Sequence, residues 1–299
     1  MMKPTDTPAI APDPAQGVGG VCRSLPAGGR EPWDSARAGR APANHSPVGH
    51  RRRRPTAPRL GHPYYDDGQI TIYLGDCRQV APLLPTFDLL LADPPYGIGL
   101  APKGRVGRGG TQFEPVTWDS APPDPWVLQM LISRARWQVL WGGNYYEGLA
   151  RATCWLVWDK VNGTTNFADC ELAWTNYRRA VRMLRWRWCG ALQQDMQNKE
   201  TRVHPAQKPV PLLEWCMGWV PEARTVLDPY MGSGSTLVAA QRRGLRAVGI
   251  DSHEPYCALA VKRLMEDRAR THGPAPAPGR VRQPMARVAR VPRTLRRRP

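Results

Sequence analysis

The chain has 299 residues, 41% of them hydrophobic, and 42 Lys+Arg against 25 Asp+Glu give a formal charge of +17. That apolar fraction supports a sizeable core, yet no run approaches the roughly eighteen apolar residues of a membrane-spanning helix, and the opening MMKPTDTPAIAPDP lacks the apolar stretch of a secretory signal. Seven widely spaced cysteines with no C-x-x-C exclude a disulfide framework and a zinc ribbon; they fit reduced thiols in a cytoplasmic protein that needs no metal.

Charge is unevenly spread. Residues 1–63 are rich in Pro, Gly, Ala and Arg and carry +6, residues 272–299 carry +8 with no acid, and residues 64–271 carry only +3. The two ends are too poor in apolar patterning to fold and read as disordered basic tails. Two explanations stay open for them: arms for nucleic-acid phosphates, or the codon bias of a GC-rich genome with an early start site.

From Tyr64 the pattern changes. Ile70–Leu74 predicts a strand ending at Gly75-Asp76, Arg78–Leu84 a short helix stopped by Pro85, and Phe87–Ala92 a buried strand halted by Asp93-Pro94-Pro95. Residues 99–110 are Gly-rich and basic and read as a loop. Pro125–Arg136 has helical period and Trp137–Trp141 is strand-like, as are Trp155–Trp158 and Leu172–Trp174. Pro211–Val220 predicts a helix, Thr225–Asp228 a strand, Thr236–Arg243 a helix closed by Gly244, Ala247–Ile250 a strand ending at Asp251, and Tyr256–Arg268 a helix. Buried strands alternating with helices predict a single α/β domain over 64–271, a mostly parallel twisted sheet with helices on both faces.

Four segments carry chemistry. Asp93-Pro94-Pro95-Tyr96 lies at the carboxyl end of a predicted strand, where open α/β sheets bind ligands. The Pro-Pro pair donates no N–H, so the segment offers the Asp93 carboxylate and the Pro94 carbonyl as two acceptors for a planar exocyclic amine, with Tyr96 to stack on its ring. Asp228-Pro229-Tyr230-Met231-Gly232-Ser233-Gly234-Ser235-Thr236 is a strand, a turn and a helix start. Gly232 and Gly234 allow close approach of a ligand, and Ser235 and Thr236 open a helix whose N-terminus attracts an anion. It lacks both G-x-G-x-x-G and a Walker lysine, which disfavours a dinucleotide or NTP. Asp251, 23 residues after Asp228, stands where an acidic side chain reaches ribose hydroxyls, or where one would cap the following helix. His204-Pro205-Ala206-Gln207-Lys208-Pro209 reads as a rigid loop before a helix.

Together, in this order, these segments resemble the S-adenosylmethionine-dependent DNA amino-methyltransferases that act on adenine N6 or cytosine N4. The catalytic segment precedes the cofactor segment, as in the permuted beta group, over about residues 70–270. Trp141–Tyr145 and Trp155–Lys160 are similar to segments of small phage-borne adenine methyltransferases. The resemblance implies a Rossmann-like methyltransferase fold and S-adenosylmethionine as cofactor. It assigns Asp93, Pro94, Pro95 and Tyr96 to the target amine, and Asp228, Pro229, Tyr230, Gly232, Ser233, Gly234, Ser235 and Thr236 to the methionine part of the cofactor. Asp251 falls to the ribose, Asp76 and Cys77 to the adenine, and Lys208 near the cofactor carboxylate. Adenine-N6 members usually carry Asp at position 93 and cytosine-N4 members more often Ser, so adenine is the expected target, with cytosine N4 or a non-catalytic DNA-binding protein as alternatives. Tyr230 stands where Phe is commoner and Ala206 where Thr or Ser is. The implied partner is double-stranded DNA; relatives are often dimers, and some work with a restriction nuclease.

The DNA-reading part is expected in residues 178–202. There Arg178, Arg179, Arg182, Arg185 and Arg187 interleave with Trp186 and Trp188. In one strand Arg185 and Arg187 would face DNA and the tryptophans the core, although a hairpin with solvated arginines fits the same residues. Lys103, Arg105 and Arg108 lie in a loop suited to close over a flipped base.

Overall fold

The computed structural model describes residues 60–100, 117–163, 168–189 and 192–272. Most of both basic ends, and the loop with Lys103, Arg105 and Arg108, lie outside them. The described elements, in chain order, are β1 (Tyr65–Asp66), β2 (Ile70–Leu74), α1 (Cys77–Val80), β3 (Phe87–Ala92), α2 (Pro125–Ile132), β4 (Ala135–Trp141), β5 (Trp155–Asp159), β6 (Cys170–Thr175), β7 (Arg182–Arg185), β8 (Trp188–Cys189), β9 (Leu192–Gln193), α3 (Val210–Gly218), β10 (Thr225–Asp228), α4 (Ser235–Arg242), β11 (Arg246–Asp251) and α5 (Glu254–His272). None of these helices is long and apolar enough to cross a membrane.

Nine strands form one mixed sheet in the order β1-β2-β11-β10-β3-β4-β6-β5-β7. Strands β2, β11, β10, β3 and β4 are mutually parallel. β6 pairs antiparallel with both β4 and β5, and β5 pairs parallel with β7. The short β8 and β9 form a separate ladder.

The side-chain alternation of β3 shows why helices cover both faces. Leu89 and Leu91 pack with α3, α4 and α5 residues such as Leu212, Val238 and Val261, while Leu90 and Ala92 pack with Cys77 of α1 and Val127 and Leu131 of α2. A strand buried on both sides reads as a continuous apolar run, and FDLLLA is one.

Three differences from the sequence pattern have a local physical cause. The helix expected to reach Arg136 ends at Ile132, because Ala135 already pairs with Phe87 of β3. The helix expected over Arg78–Leu84 is α1 followed by a 3-10 turn over Ala81–Leu83, broken where Pro82 removes a donor. Arg185 to Trp188 is not one strand: β7 stops at Arg185 and β8 starts at Trp188. The expected alternation survives the break, since Arg185 and Arg187 are exposed, Trp188 is buried and Trp186 packs on the core.

Candidate active site

Parallel pairing sets four acidic residues side by side. Asp76 follows β2, Asp251 ends β11, Asp228 ends β10 and Asp93 follows β3, and these four strands are neighbours in the order β2-β11-β10-β3. Segments far apart in sequence thus share one carboxyl edge, and a cavity of about 660 Å³ opens along it. That volume falls within the roughly 300–1,000 Å³ of small-molecule sites.

Of the residues assigned to a cofactor, Asp76, Cys77, Lys208, Asp228, Pro229, Tyr230, Gly232, Ser233, Ser235, Thr236 and Asp251 all line this cavity, as do Asp93 and Pro95. Gly234 does not. Its φ of 77° caps α4, and a Cβ there would lie 2.7 Å from Ala260 Cβ, so its missing side chain serves the packing of α5. Gly232, at φ 49°, faces the ring of His204, whose Nε2 would be 3.3 Å from an added Cβ. His204 is buried between Trp118 and Tyr256, and burial among cations pushes its pKa down to about 3, so it is a neutral wall.

The Asp228–Thr236 turn is held from behind. Arg263 of α5 donates from Nη1 to the Ser233 carbonyl, Ser233 Oγ and Ser235 Oγ, each at 2.9 Å, and Nη2 lies 3.3 Å from Glu200. Asp228 is buried, and burial raises its pKa to about 7 despite hydrogen bonds from Thr236 and the Tyr230 amide. The carboxylate of Asp251 accepts from the Gly232 amide at 3.0 Å and the His253 amide at 2.8 Å; burial raises its pKa to about 6. It therefore ties the turn to β11 while leaving acceptor capacity toward the cavity. The Asp76 carboxylate is engaged by Arg78, capping α1.

The Asp93–Tyr96 segment is clamped by a residue the sequence did not reveal. Asp119 accepts from the amides of Tyr96 at 2.7 Å, Gly97 at 3.0 Å and Leu100 at 2.8 Å. Tyr96 stacks on Tyr145 with centroids 4.9 Å apart, and its hydroxyl donates to Asp93 Oδ1 at 2.6 Å. Tyr146 donates its hydroxyl to the Pro94 carbonyl at 2.7 Å. Lys208, expected by the cofactor carboxylate, instead points its ammonium at Asp93 Oδ2, 2.6 Å away. Burial raises the pKa of Asp93, against the pull of that ammonium.

The five arginines expected at DNA are all exposed but do not form one patch. Arg185, at the carboxyl end of β7, lies on the same sheet edge as Asp93 and pairs with Asp159 at 2.9 Å; Arg187 follows it. Arg182 starts β7 on the opposite edge, where it and Arg179 lie over the Trp219 ring, and Arg178 adjoins them in sequence. Ile98 and Tyr145 are exposed in the loops that follow β3 and β4, beside Asp93.

A family model described as "DNA methylase" matches residues 175–262. Type II methyltransferase M.ScaI of Streptomyces caespitosus is 26% identical over 266 residues, covering 69% of this chain and 84% of that protein. Type II methyltransferase M2.LlaDCHI of Lactococcus lactis subsp. cremoris is 25% identical over 260 residues, covering 71% and 94%. Putative methylase YubD of Escherichia coli is 29% identical over 210 residues, covering 64% and 88%.

Proposed function

We propose that the chain is an S-adenosylmethionine-dependent DNA methylase acting on an exocyclic amine, and that this amine is N6 of an adenine flipped out of double-stranded DNA. One observation carries the reading: an Asp93-Pro94-Pro95-Tyr96 segment at the end of β3 borders a cavity lined by the Asp228–Thr236 turn and Asp251.

The residues fit S-adenosylmethionine. The cavity is large enough, Gly232 leaves its wall free of a Cβ, and Asp251 offers carboxylate acceptors suited to ribose hydroxyls. The turn and the N-terminus of α4, with Arg263 behind them, suit a carboxylate. When bound, the cofactor supplies an electrophilic methyl group.

The chain's own part is positioning and charge. An amine conjugated to a ring is a weak nucleophile because its lone pair is delocalised. Asp93 and the Pro94 carbonyl accept its two N–H bonds, and acceptors that favour growing positive charge on nitrogen act most strongly in the transition state. Asp93 is also placed to receive the proton that the methylated amine sheds. Tyr145, exposed and stacked on Tyr96, supplies an aromatic face for the extruded base, and Ile98 offers an apolar contact at the gap it leaves.

The test is direct. The full chain is incubated with labelled S-adenosylmethionine and unmethylated genomic DNA, the DNA is digested, and the modified nucleoside is identified. Label in N6-methyldeoxyadenosine supports the reading. Label in N4-methylcytosine alone replaces adenine by cytosine, and DNA binding without label makes the protein a binder that has kept the fold.

A further inference from the structure

Glu171, the second residue of β6, belongs to none of the motifs above, yet it reaches into the amine site. Its Oε2 lies 2.9 Å from Lys208 Nζ and its Oε1 lies 2.5 Å from Lys160 Nζ. Because Lys208 Nζ is also 2.6 Å from Asp93 Oδ2, one buried ammonium is shared by two carboxylates. Two cations and two anions close the network without net charge.

The acceptors meant for a target amine are all engaged. Asp93 Oδ2 holds Lys208, Asp93 Oδ1 accepts from Tyr96, and the Pro94 carbonyl accepts from Tyr146. An Asp93 charge neutralised by an ammonium at 2.6 Å does little for the positive charge that grows on a bound amine, so the carboxylate acts fully only when the ammonium withdraws. A buried ammonium stripped of its counter-ion is strongly unfavourable, so it needs a second carboxylate within reach, and Glu171 is already in contact with it.

Resting on the methyltransferase reading, we propose that Glu171 is a positioning residue that takes over the Lys208 ammonium when the target amine binds Asp93. The swing is short, because the ammonium already touches both carboxylates. Lys160 keeps the receiving carboxylate ionised: burial alone would raise the pKa of Glu171, but Lys208 and Lys160 hold it well below its ordinary value. Without the Glu171 charge, Lys208 keeps Asp93 as its carboxylate partner, and a flipped base meets a carboxylate whose charge is already neutralised. The duplex still binds and the cofactor still binds, so the loss falls on turnover.

The experiment is a four-member cycle in the full-length protein: wild type, Glu171→Gln, Lys208→Met and the double variant. Each is assayed for methyl transfer to unmethylated genomic DNA, with cofactor affinity and thermal melting measured alongside. The expected result is a kcat at least twentyfold lower in Glu171→Gln, with KM for cofactor and DNA within about twofold of wild type. In the Lys208→Met background the same substitution should cost less than threefold. A Glu171→Gln enzyme within twofold of wild type overturns the proposal. So does a double variant that loses a further tenfold relative to Lys208→Met, a comparison that stands even if Glu171→Gln alone does not fold. A wild type that transfers no methyl group overturns the methyltransferase reading and the proposal with it.

Discussion

Gly142 lies against the face of Tyr96 so closely that a Cβ on it would sit 2.1 Å from Tyr96 Cε1. Gly142 adopts φ 73° just after β4, starting the turn that carries Tyr145, whose ring stacks on that of Tyr96. The glycine therefore sets where the ring stands. Gly142→Ala adds left-handed strain of roughly 1 kcal/mol and forces the ring away from Asp93. Because a misplacement of about 1 Å at a reacting centre can cost ~100-fold, methyl transfer should fall by about that factor. Cofactor affinity, measured by calorimetry, should stay within about threefold. A variant with normal turnover would mean that Tyr96 reaches its working position some other way.

Asp93 is the one side-chain acceptor assigned to the amine. Asp93→Ala removes it and also leaves Lys208 with Glu171 as its remaining carboxylate partner. Loss of one preorganised polar partner in a transition state costs about 100- to 1,000-fold in turnover. Single-turnover transfer should drop by at least that much while cofactor binding persists, since the turn and Asp251 are untouched. Transfer retained within tenfold would refute the role given to Asp93.

Much of this site was legible in the sequence because its parts are local. An apolar run stopped by Pro-Pro, and a Gly-Ser turn between a strand and a helix, are patterns over a few consecutive residues, and they place Asp93 and Asp228 correctly at strand ends. What stayed hidden depends on pairing between distant strands. Glu171 becomes an active-site residue only because β6 runs antiparallel between β4 and β5, which brings its first residues to the edge where β4 ends. Asp119 clamps Tyr96 from 23 positions away, and a lone Asp carries no local signal. The five arginines are divided because β7 runs from one edge of the sheet to the other, which puts Arg182 and Arg185 on opposite edges.

Asp228 gives a stability test with a defined sign. Its folded pKa, raised by burial to about 7, exceeds the unfolded value near 4. A raised carboxyl pKa contributes stability that is fully present below about pH 4 and is lost as pH rises through about 7. At pH 8 the buried carboxylate is therefore a cost, which Asp228→Asn relieves. Relative to wild type, the melting temperature of Asp228→Asn should rise between pH 5 and pH 8 by about 5 °C, equivalent to ~2 kcal/mol for a domain of this size. A difference that does not change with pH would show that Asp228 titrates as an ordinary surface carboxyl.

DNA affinity should separate the two arginine groups. On the proposed reading a base enters the site from the carboxyl edge of the sheet and the duplex lies across that edge, where Arg185 and Arg187 are exposed. Arg182 stands one strand length away, roughly 10 Å, and its guanidinium is stacked 5.4 Å over Trp219 beside that of Arg179. The Arg185–Asp159 ion pair is largely solvated, with Arg185 68% exposed, so little opposes its transfer to a phosphate. Every phosphate that a cation ceases to neutralise lowers the slope of log affinity against log salt by about 0.9. Arg185→Ala/Arg187→Ala should weaken binding to a 30-base-pair duplex and reduce that slope by up to ~2. Arg178→Ala/Arg179→Ala/Arg182→Ala should leave the slope nearly unchanged. The reverse pattern would put the duplex on the opposite edge, away from Asp93, and would count against base delivery to the site described.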